Sequence, residues 1–218
     1  PTVTITAAAE VSDSSVLEAT GAGEGNQSVL TITAPEYTAS AVDGYTSAVT
    51  YALALDDGAA TGLLTTDGNH AITLVVSGDG QTVTGQYEDS GTQTAFSVSI
   101  VAGEIIFISN VALEHANGPQ NGESDTLDNL NGMINLVSTV TVTDGDNDEV
   151  VAQTNTETSL TLEIDDTDPS LTVNDDISFS GALSVVEASD VGGEDTVTIS
   201  GPTYTDSAVD GYSTTVSY

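Results

Sequence analysis

The feature that most constrains the fold is a long internal repeat. The segment 32–51 returns as 199–218, and twelve of the twenty aligned positions are identical. The opening residues 1–5, PTVTI, match PSLTV at 169–173, so the period is 168 residues at the start and 167 further along. A repeat of this kind is one folded unit copied along the chain. We therefore expect one complete unit over residues 1–168 and the N-terminal part of a second over residues 169–218.

Alternation of apolar and polar residues predicts that each unit is built of short strands. The clearest runs lie at 49–55, 96–100 and 160–164, and such alternation is typical of half-buried strands. Glycine-containing turns at 78–80 and 102–103 predict hairpins. About ten strands per unit favour an all-β fold of tandem Ig-like β-sandwiches of the Greek-key type. The pattern leaves open whether a unit is one elaborated sandwich or two small ones.

One segment has a helical pattern instead. Residues 124–133 read SDTLDNLNGM, with Ser124 as an N-cap and with Leu127 and Leu130 on one face. The sequence therefore predicts a single helical turn in this segment.

The charge of the chain is almost entirely of one sign. There are 34 Asp and Glu residues and neither Lys nor Arg, which gives a formal net charge of −34. Such a charge destabilises a compact state by self-repulsion, so counter-ions must come from solution, and divalent cations held by carboxylates meet this need with the fewest ions. Nucleic acid and anionic membrane surfaces are poor partners, because both are recognised through basic patches.

Disorder is the alternative that this charge raises. The hydrophobic fraction of 38% is concentrated in short alternating runs, however, and is sufficient for a core at this length. Cysteine is absent, so disulfides do not stabilise the fold and bound metal ions could take that role. No apolar run approaches the roughly 20 residues that span a bilayer, which argues against direct membrane insertion.

The first acidic cluster follows a predicted strand and comprises Asp144, Asp146, Asp148 and Glu149. Aspartates at alternate positions direct several oxygens towards one hard cation, and Ca²⁺ takes about six to eight oxygen ligands. The loop is not an EF-hand, because Glu149 stands where that motif needs glycine and Asn155 where it needs glutamate. The pattern predicts a calcium site in a β-loop, and the alternative is a solvated acidic hairpin tip.

The second acidic cluster lies at the junction between the two units. Its candidate calcium ligands are Asp165, Asp166, Asp168, Asn174, Asp175 and Asp176, with Pro169 stiffening the linker. Calcium bound here would hold the joint, whereas free carboxylates would repel one another and leave the linker flexible. Further ligands could come from Asp56–Asp57 or from the region of Glu18. The alternative is an ordinary polar linker.

Several short motifs follow one another in a specific order. They are AFSV at 95–98, ALEH at 112–115, TLDNL at 126–130, VTVTDGD at 140–146 and DDTDP at 165–169. This order resembles the tandem domains of giant RTX-type bacterial adhesins. The resemblance implies a type I secreted, extracellular stalk at the cell surface, in which calcium stiffens the joints and neighbouring repeats are the partners. The junction departs from the family's usual Asp-Asp-Gly-Pro form, and the nonapeptide calcium repeats of the secretion-signal region are absent.

No motif indicates catalysis. His70 and His115 are the only conventional bases besides the carboxylates, and neither lies in a nucleophile signature. Neither histidine is expected to bind calcium, which prefers oxygen, and His115 is expected to be a structural hydrogen-bonding residue. We therefore expect a non-enzymatic protein.

Two other functions remain open beside the stalk. A self-assembling filament, sheath or surface layer would share the fold and the calcium dependence, but its chains would associate laterally. A carbohydrate- or ice-binding adhesive module is the second alternative. The tyrosines that could form its platform occur in both units, at 37, 45 and 51 and again at 204, 212 and 218, and such recurrence is more typical of a core or an interface.

Overall fold

The computed structural model describes most of the chain, which divides into two compact units, Pro1–Thr167 (unit 1) and Asp168–Tyr218 (unit 2). The described residues are 1–19, 26–56, 60–115, 126–127, 130–153, 158–167, 170–185, 187, 194–208 and 214–217. All regular elements in these ranges are β-strands, which confirms the all-β prediction. Across the same ranges, no helix is long and apolar enough to cross a membrane.

Unit 1 contains sixteen strands in its described part. They are β1 Thr2–Ala7, β2 Glu10–Val11, β3 Ser14–Leu17, β4 Asn26–Thr33, β5 Glu36–Ser40, β6 Tyr45–Leu55, β7 Ala60–Leu64, β8 Ala71–Val76, β9 Thr82–Glu88, β10 Thr92–Val101, β11 Glu104–Ser109, β12 Thr126–Leu127, β13 Ile134–Asp144, β14 Glu149–Gln153, β15 Thr158–Ser159 and β16 Leu162–Asp165.

The largest sheet has seven antiparallel strands in the order β2-β4-β11-β10-β9-β8-β7. The two predicted hairpins are confirmed in it as β8–β9 and β10–β11. The second hairpin turns through Ala102 and Gly103, whose φ angles are 52° and 86°. Positive φ at both central residues is the pattern of a type I′ turn, whose twist matches that of the flanking strands.

The remaining strands of unit 1 bring distant loops together. Strand β13 pairs with β6 along its length and with β14 and β15 on its other edge. Strand β16 lies between β12 and β3, and its pairing with β3 is parallel. As a result, the β5–β6 loop lies beside the β13–β14 hairpin, and the ends of β3 and β16 lie side by side.

One hydrophobic cluster joins three of the four sheets in the described part of unit 1, all except the β1–β5 sheet. It includes Phe96 and Phe107 of the seven-stranded sheet, Leu136 of β13 and Ile164 of β16, all of which are fully buried. The two phenylalanine rings meet edge to face, with centroids 6.2 Å apart, the arrangement that aromatic pairs favour. All residues of this cluster lie within unit 1. The Ig-like and Greek-key descriptions stay predictions.

The predicted helical turn at 124–133 is wrong for the residues that the structure describes there. Thr126–Leu127 form β12, which pairs with β16, and the chain then turns at 130–133, where the Met133 amide donates to the Leu130 carbonyl at 3.1 Å. Leu130 is fully buried in the core of unit 1. Pairing with β16 and burial of Leu130 override the local helical pattern, as tertiary contacts commonly do. Residues 124, 125, 128 and 129 lie outside the described part.

Unit 2 repeats the first ladder of unit 1. Its described strands are β17 Ser170–Asp175, β18 Ser178–Phe179, β19 Ile199–Ser200 and β20 Thr203–Ser207. Ser170 pairs with Ser207 as Thr2 pairs with Ser40, and a bulge interrupts both ladders at the same point. The hydroxyl–hydroxyl hydrogen bond between the paired residues, 2.9 Å long, also recurs. The sequence repeat is thus a repeat of strand register.

Candidate metal centres

Two groups of side chains in the described part of the chain bring three possible metal-ligand atoms within 4.8 Å of one another. The first, which we term the hairpin cluster, consists of Asp43, Asp144 and Asp146. The second, the buried cluster, consists of Glu18, His115 and Asp166. Both groups lie entirely within unit 1.

The β13–β14 turn fixes the hairpin cluster. The Asn147 amide donates to the Asp144 carbonyl at 3.1 Å, and the Asp144 amide donates to the Asp148 carbonyl at 3.1 Å. The Asp148 amide also donates to Asp144 Oδ1 at 2.9 Å. Asn147 has a φ of 70°, a left-handed conformation that asparagine tolerates better than most residues. The turn therefore orients the Asp144 carboxylate towards the loop.

Asp43 reaches the hairpin cluster from the β5–β6 loop. The pairing of β6 with β13 ends at Tyr45 opposite Asp144, so the residues just before Tyr45 lie beside the acidic turn. Gly145 permits this approach, because a Cβ there would lie 2.9 Å from both the carbonyl oxygen and Oδ2 of Asp43. Sequence reasoning missed Asp43, although the block SAVDGY at 40–45, which recurs identically in the second unit, contains it.

The hairpin carboxyls influence one another's ionisation. A hydrogen bond from the Asp146 carboxyl lowers the pKa of Asp144. The same hydrogen bond raises the pKa of Asp146, and repulsion from Asp144 and Asp148 adds to the rise. At pH values low enough for Asp146 to be protonated, one proton bridges the two carboxyl groups. A divalent cation that bridges the same oxygens would replace that proton.

Calcium affinity at the hairpin cluster is accordingly expected to fall on acidification. Because the pKa of Asp146 is raised above its ordinary value, Asp146 keeps its proton at acid pH values where an ordinary aspartate has lost it, and in that range the proton competes with the cation. Calorimetry in buffers of different ionisation enthalpy should then detect proton release on calcium binding, and Asp146→Asn should abolish it. Asp79→Asn is the matched control. Asp79 lies in a separate turn, where a hydrogen bond from the Ser77 side chain lowers its pKa. Equal proton release in wild type and Asp146→Asn would contradict the assignment.

The other residues predicted in this loop stay outside the hairpin cluster. Asp148 and Glu149 are exposed. The Thr143 hydroxyl donates to Glu149 Oε1 at 3.4 Å across the base of the hairpin. The oxygen-only donor set of Asp43, Asp144 and Asp146 is nevertheless the chemistry that calcium prefers.

The buried cluster centres on a carboxylate with no exposed surface. Glu18 directly follows β3, and its amide continues the parallel ladder by donating to the Asp165 carbonyl at 2.9 Å. Its Oε2 accepts from the Leu113 amide at 2.9 Å, and its Oε1 accepts from the Thr167 hydroxyl at 2.9 Å and amide at 3.4 Å. Both oxygens of Glu18 are thus held by donors from two other segments of unit 1.

His115 and Asp166 complete the buried cluster. The His115 side chain is 3% exposed, and its Nε2 lies 3.9 Å from Glu18 Oε2. Both ring nitrogens of His115 and Oδ1 of Asp166 are buried without a hydrogen-bond partner. The expectation that His115 is a structural hydrogen-bonding residue is therefore wrong. Leaving such groups unpaired costs about 1–3 kcal/mol each, so the arrangement favours a bound cation that all three residues contact.

The remaining candidate ligands are not part of either cluster. Asp165 lies in β16 between Leu17 and Thr126, Asp168 and Asp57 lie outside the described residues, and Asp56 belongs to neither group. In unit 2, the Asn174 amide donates to the Thr205 hydroxyl at 2.7 Å, Asp175 accepts from the Thr203 hydroxyl at 2.7 Å, and Asp176 is exposed. Of the predicted ligands, the structure thus joins Asp144 to Asp146 and Asp166 to Glu18.

The sequence model of one protein family, described as a domain of unknown function (DUF5801), matches residues 8–157. The matched span contains Glu18, Asp43, His115, Asp144 and Asp146 and ends before Asp166. No curated protein and no solved structure matches the chain.

Proposed function

We propose that this chain, which belongs to the DUF5801 family, is a non-catalytic, calcium-stiffened stalk segment of a long extracellular surface protein. The observation that carries the proposal is the recurrence of one strand register, bulge included, in two consecutive units. A module that is copied in tandem supplies length and an even spacing of joints, because each unit contacts mainly its neighbours.

The charge of the chain supports the role of calcium in this proposal. The whole chain has 34 acidic residues and neither Lys nor Arg, so the carboxylates that unit 1 brings together have no lysine or arginine to neutralise them. The hairpin cluster offers three carboxylates, and Asp165 and Asp168 follow at the joint. Extracellular calcium, a hard cation that takes oxygen ligands, would offset their repulsion. The resemblance to RTX-type adhesin repeats points to the same use of calcium.

Small-angle scattering of this chain with millimolar calcium and with excess EDTA tests the proposal. We expect the maximum dimension to shorten on chelation, because without calcium the carboxylates at the joint repel one another and leave the linker flexible. The Asp165→Asn/Asp168→Asn double variant should resemble the chelated wild type even when calcium is present. The exposed pair Asp13→Asn/Glu10→Gln is the matched control for charge. Identical scattering profiles in calcium and EDTA would overturn the stalk proposal.

A laterally associating filament is the second candidate, and one observation favours it. Val29, Val75 and Val101 of the seven-stranded sheet are 47%, 44% and 48% exposed, although their neighbours Leu30 and Leu74 are buried. Outward-facing valines of this kind could pack against another chain. Sedimentation velocity at increasing protein concentration distinguishes the two functions, since a stalk remains monomeric and a filament grows.

A further inference from the structure

The donor set of the buried cluster differs in kind from that of the hairpin cluster. It combines two carboxylates, Glu18 and Asp166, with the imidazole of His115. Calcium selects oxygen ligands, whereas imidazole nitrogen is a preferred ligand of zinc, cobalt, nickel and copper. We propose that the buried cluster binds a transition-metal dication of the zinc class, distinct from the calcium proposed elsewhere in the unit. This inference does not rest on the stalk function.

Burial supports a resident metal. The His115 side chain is 3% exposed and Glu18 is 0% exposed, and the His115 nitrogens and Asp166 Oδ1 have no hydrogen-bond partner. Ionised groups away from water are stable only when they are paired or coordinate a metal. One dication would neutralise the two carboxylates and satisfy both Asp166 Oδ1 and one ring nitrogen. A protonated histidine could balance only one of the two charges.

The spacing of the ligand atoms fits a small dication. All three lie within 4.8 Å of one another, and His115 Nε2 lies 3.9 Å from Glu18 Oε2. Zinc holds nitrogen and oxygen ligands at about 2.0–2.2 Å, so tetrahedral ligands lie about 3.4 Å apart. Small rotations of the His115 and Asp166 side chains would bring the three ligand atoms to this tetrahedral spacing. Three protein ligands leave a fourth position for water.

Hydrogen bonds from outside the cluster hold Glu18 in place for this role. The Leu113 amide and the Thr167 hydroxyl donate to its two oxygens at 2.9 Å each, and such outer contacts orient metal ligands and tune their affinity. They originate from the two segments that also carry His115 and Asp166. Metal binding would therefore tie the ends of β3 and β16 to the loop that follows β11.

Cobalt titration of the full chain in excess calcium tests the proposal, because cobalt reports its coordination by visible absorption. We expect one equivalent to give the intense band of a four-coordinate site with a nitrogen ligand, and zinc to abolish that band by displacing the cobalt. His115→Gln should remove the band and weaken zinc binding at least about tenfold. His70→Gln is the matched control, since His70 stacks on Tyr87, with ring centroids 5.8 Å apart.

Two further measurements keep the test decisive. Circular dichroism of His115→Gln shows whether that variant retains its strands, and Asp166→Asn gives a second route to the same loss should His115→Gln fail to fold. Only a weak six-coordinate spectrum, as surface carboxylates give, would overturn the proposal. So would an intense band that survives His115→Gln or disappears equally in His70→Gln. The outcome of the cobalt titration does not depend on the scattering test, because the titration is run in excess calcium throughout and reports only on the buried cluster.

Discussion

Removal of divalent cations is expected to lower the melting temperature of unit 1 by roughly 5–10 °C for each site emptied. A ligand present at about 100 times its dissociation constant stabilises the folded state by about 2.7 kcal/mol, and each kcal/mol shifts the melting temperature of a domain of this size by about 2–4 °C. The cause is specific to this chain: its carboxylates repel one another, and it has neither Lys nor Arg to offset them.

Scanning calorimetry in calcium, in zinc with calcium, and in excess EDTA measures the effect. Calcium restored after chelation should recover the part of the shift that belongs to oxygen-only sites, and Asp43→Asn/Asp146→Asn should lose that part selectively. Asp79→Asn controls for removal of an acidic side chain from an unrelated turn. Superimposable melting curves in EDTA and in calcium would show that cations do not stabilise the fold.

The strands and the two hairpins could be predicted from the sequence because they depend on local alternation and on turn residues. Residues 160–164 alternate, and Leu160, Leu162 and Ile164 are all buried in the structure. The turn at Ala102–Gly103 needs only two residues of positive φ. The segment 124–133 failed for the opposite reason. Its pattern is equally local, but the pairing of β12 with β16 is a distant contact that no short window contains.

The two candidate sites differ in the same respect: the hairpin cluster depends largely on local sequence, and the buried cluster depends on distant contacts. Asp144 and Asp146 could be predicted because one turn holds both. The Glu18–His115 contact could not, because Leu113, the residue that anchors Glu18, lies 95 positions away and the parallel β16–β3 pairing brings Asp166 alongside. One signal was available: the segment VLEAT at 16–20 recurs as VVEAS at 185–189, with the glutamate retained.

Glu18→Gln is expected to destabilise the metal-loaded protein by about 2–4 kcal/mol. Both oxygens of Glu18 accept hydrogen bonds, one from the Leu113 amide and the other from the Thr167 hydroxyl and amide. If the new NH₂ group takes the Oε2 position, it faces the Leu113 amide, which is also a donor. If it takes the Oε1 position, the Thr167 hydroxyl can turn to accept from it, but the bond from the Thr167 amide is lost. The substitution also removes one of the two charges that favour a dication.

The effect of Glu18→Gln should depend on the metal, which a purely structural role would not require. In EDTA the wild type buries the Glu18 carboxylate without a cation, which is itself destabilising. The difference in free energy of unfolding between wild type and Glu18→Gln should therefore be smaller in EDTA than with metal. Urea unfolding with and without metal measures both values. The control Glu10→Gln replaces an exposed glutamate on an edge strand. It should change neither free energy of unfolding, with or without metal, by more than about 0.5 kcal/mol. A loss of the same size in metal and in EDTA would mean that Glu18 serves only its hydrogen bonds and holds no cation.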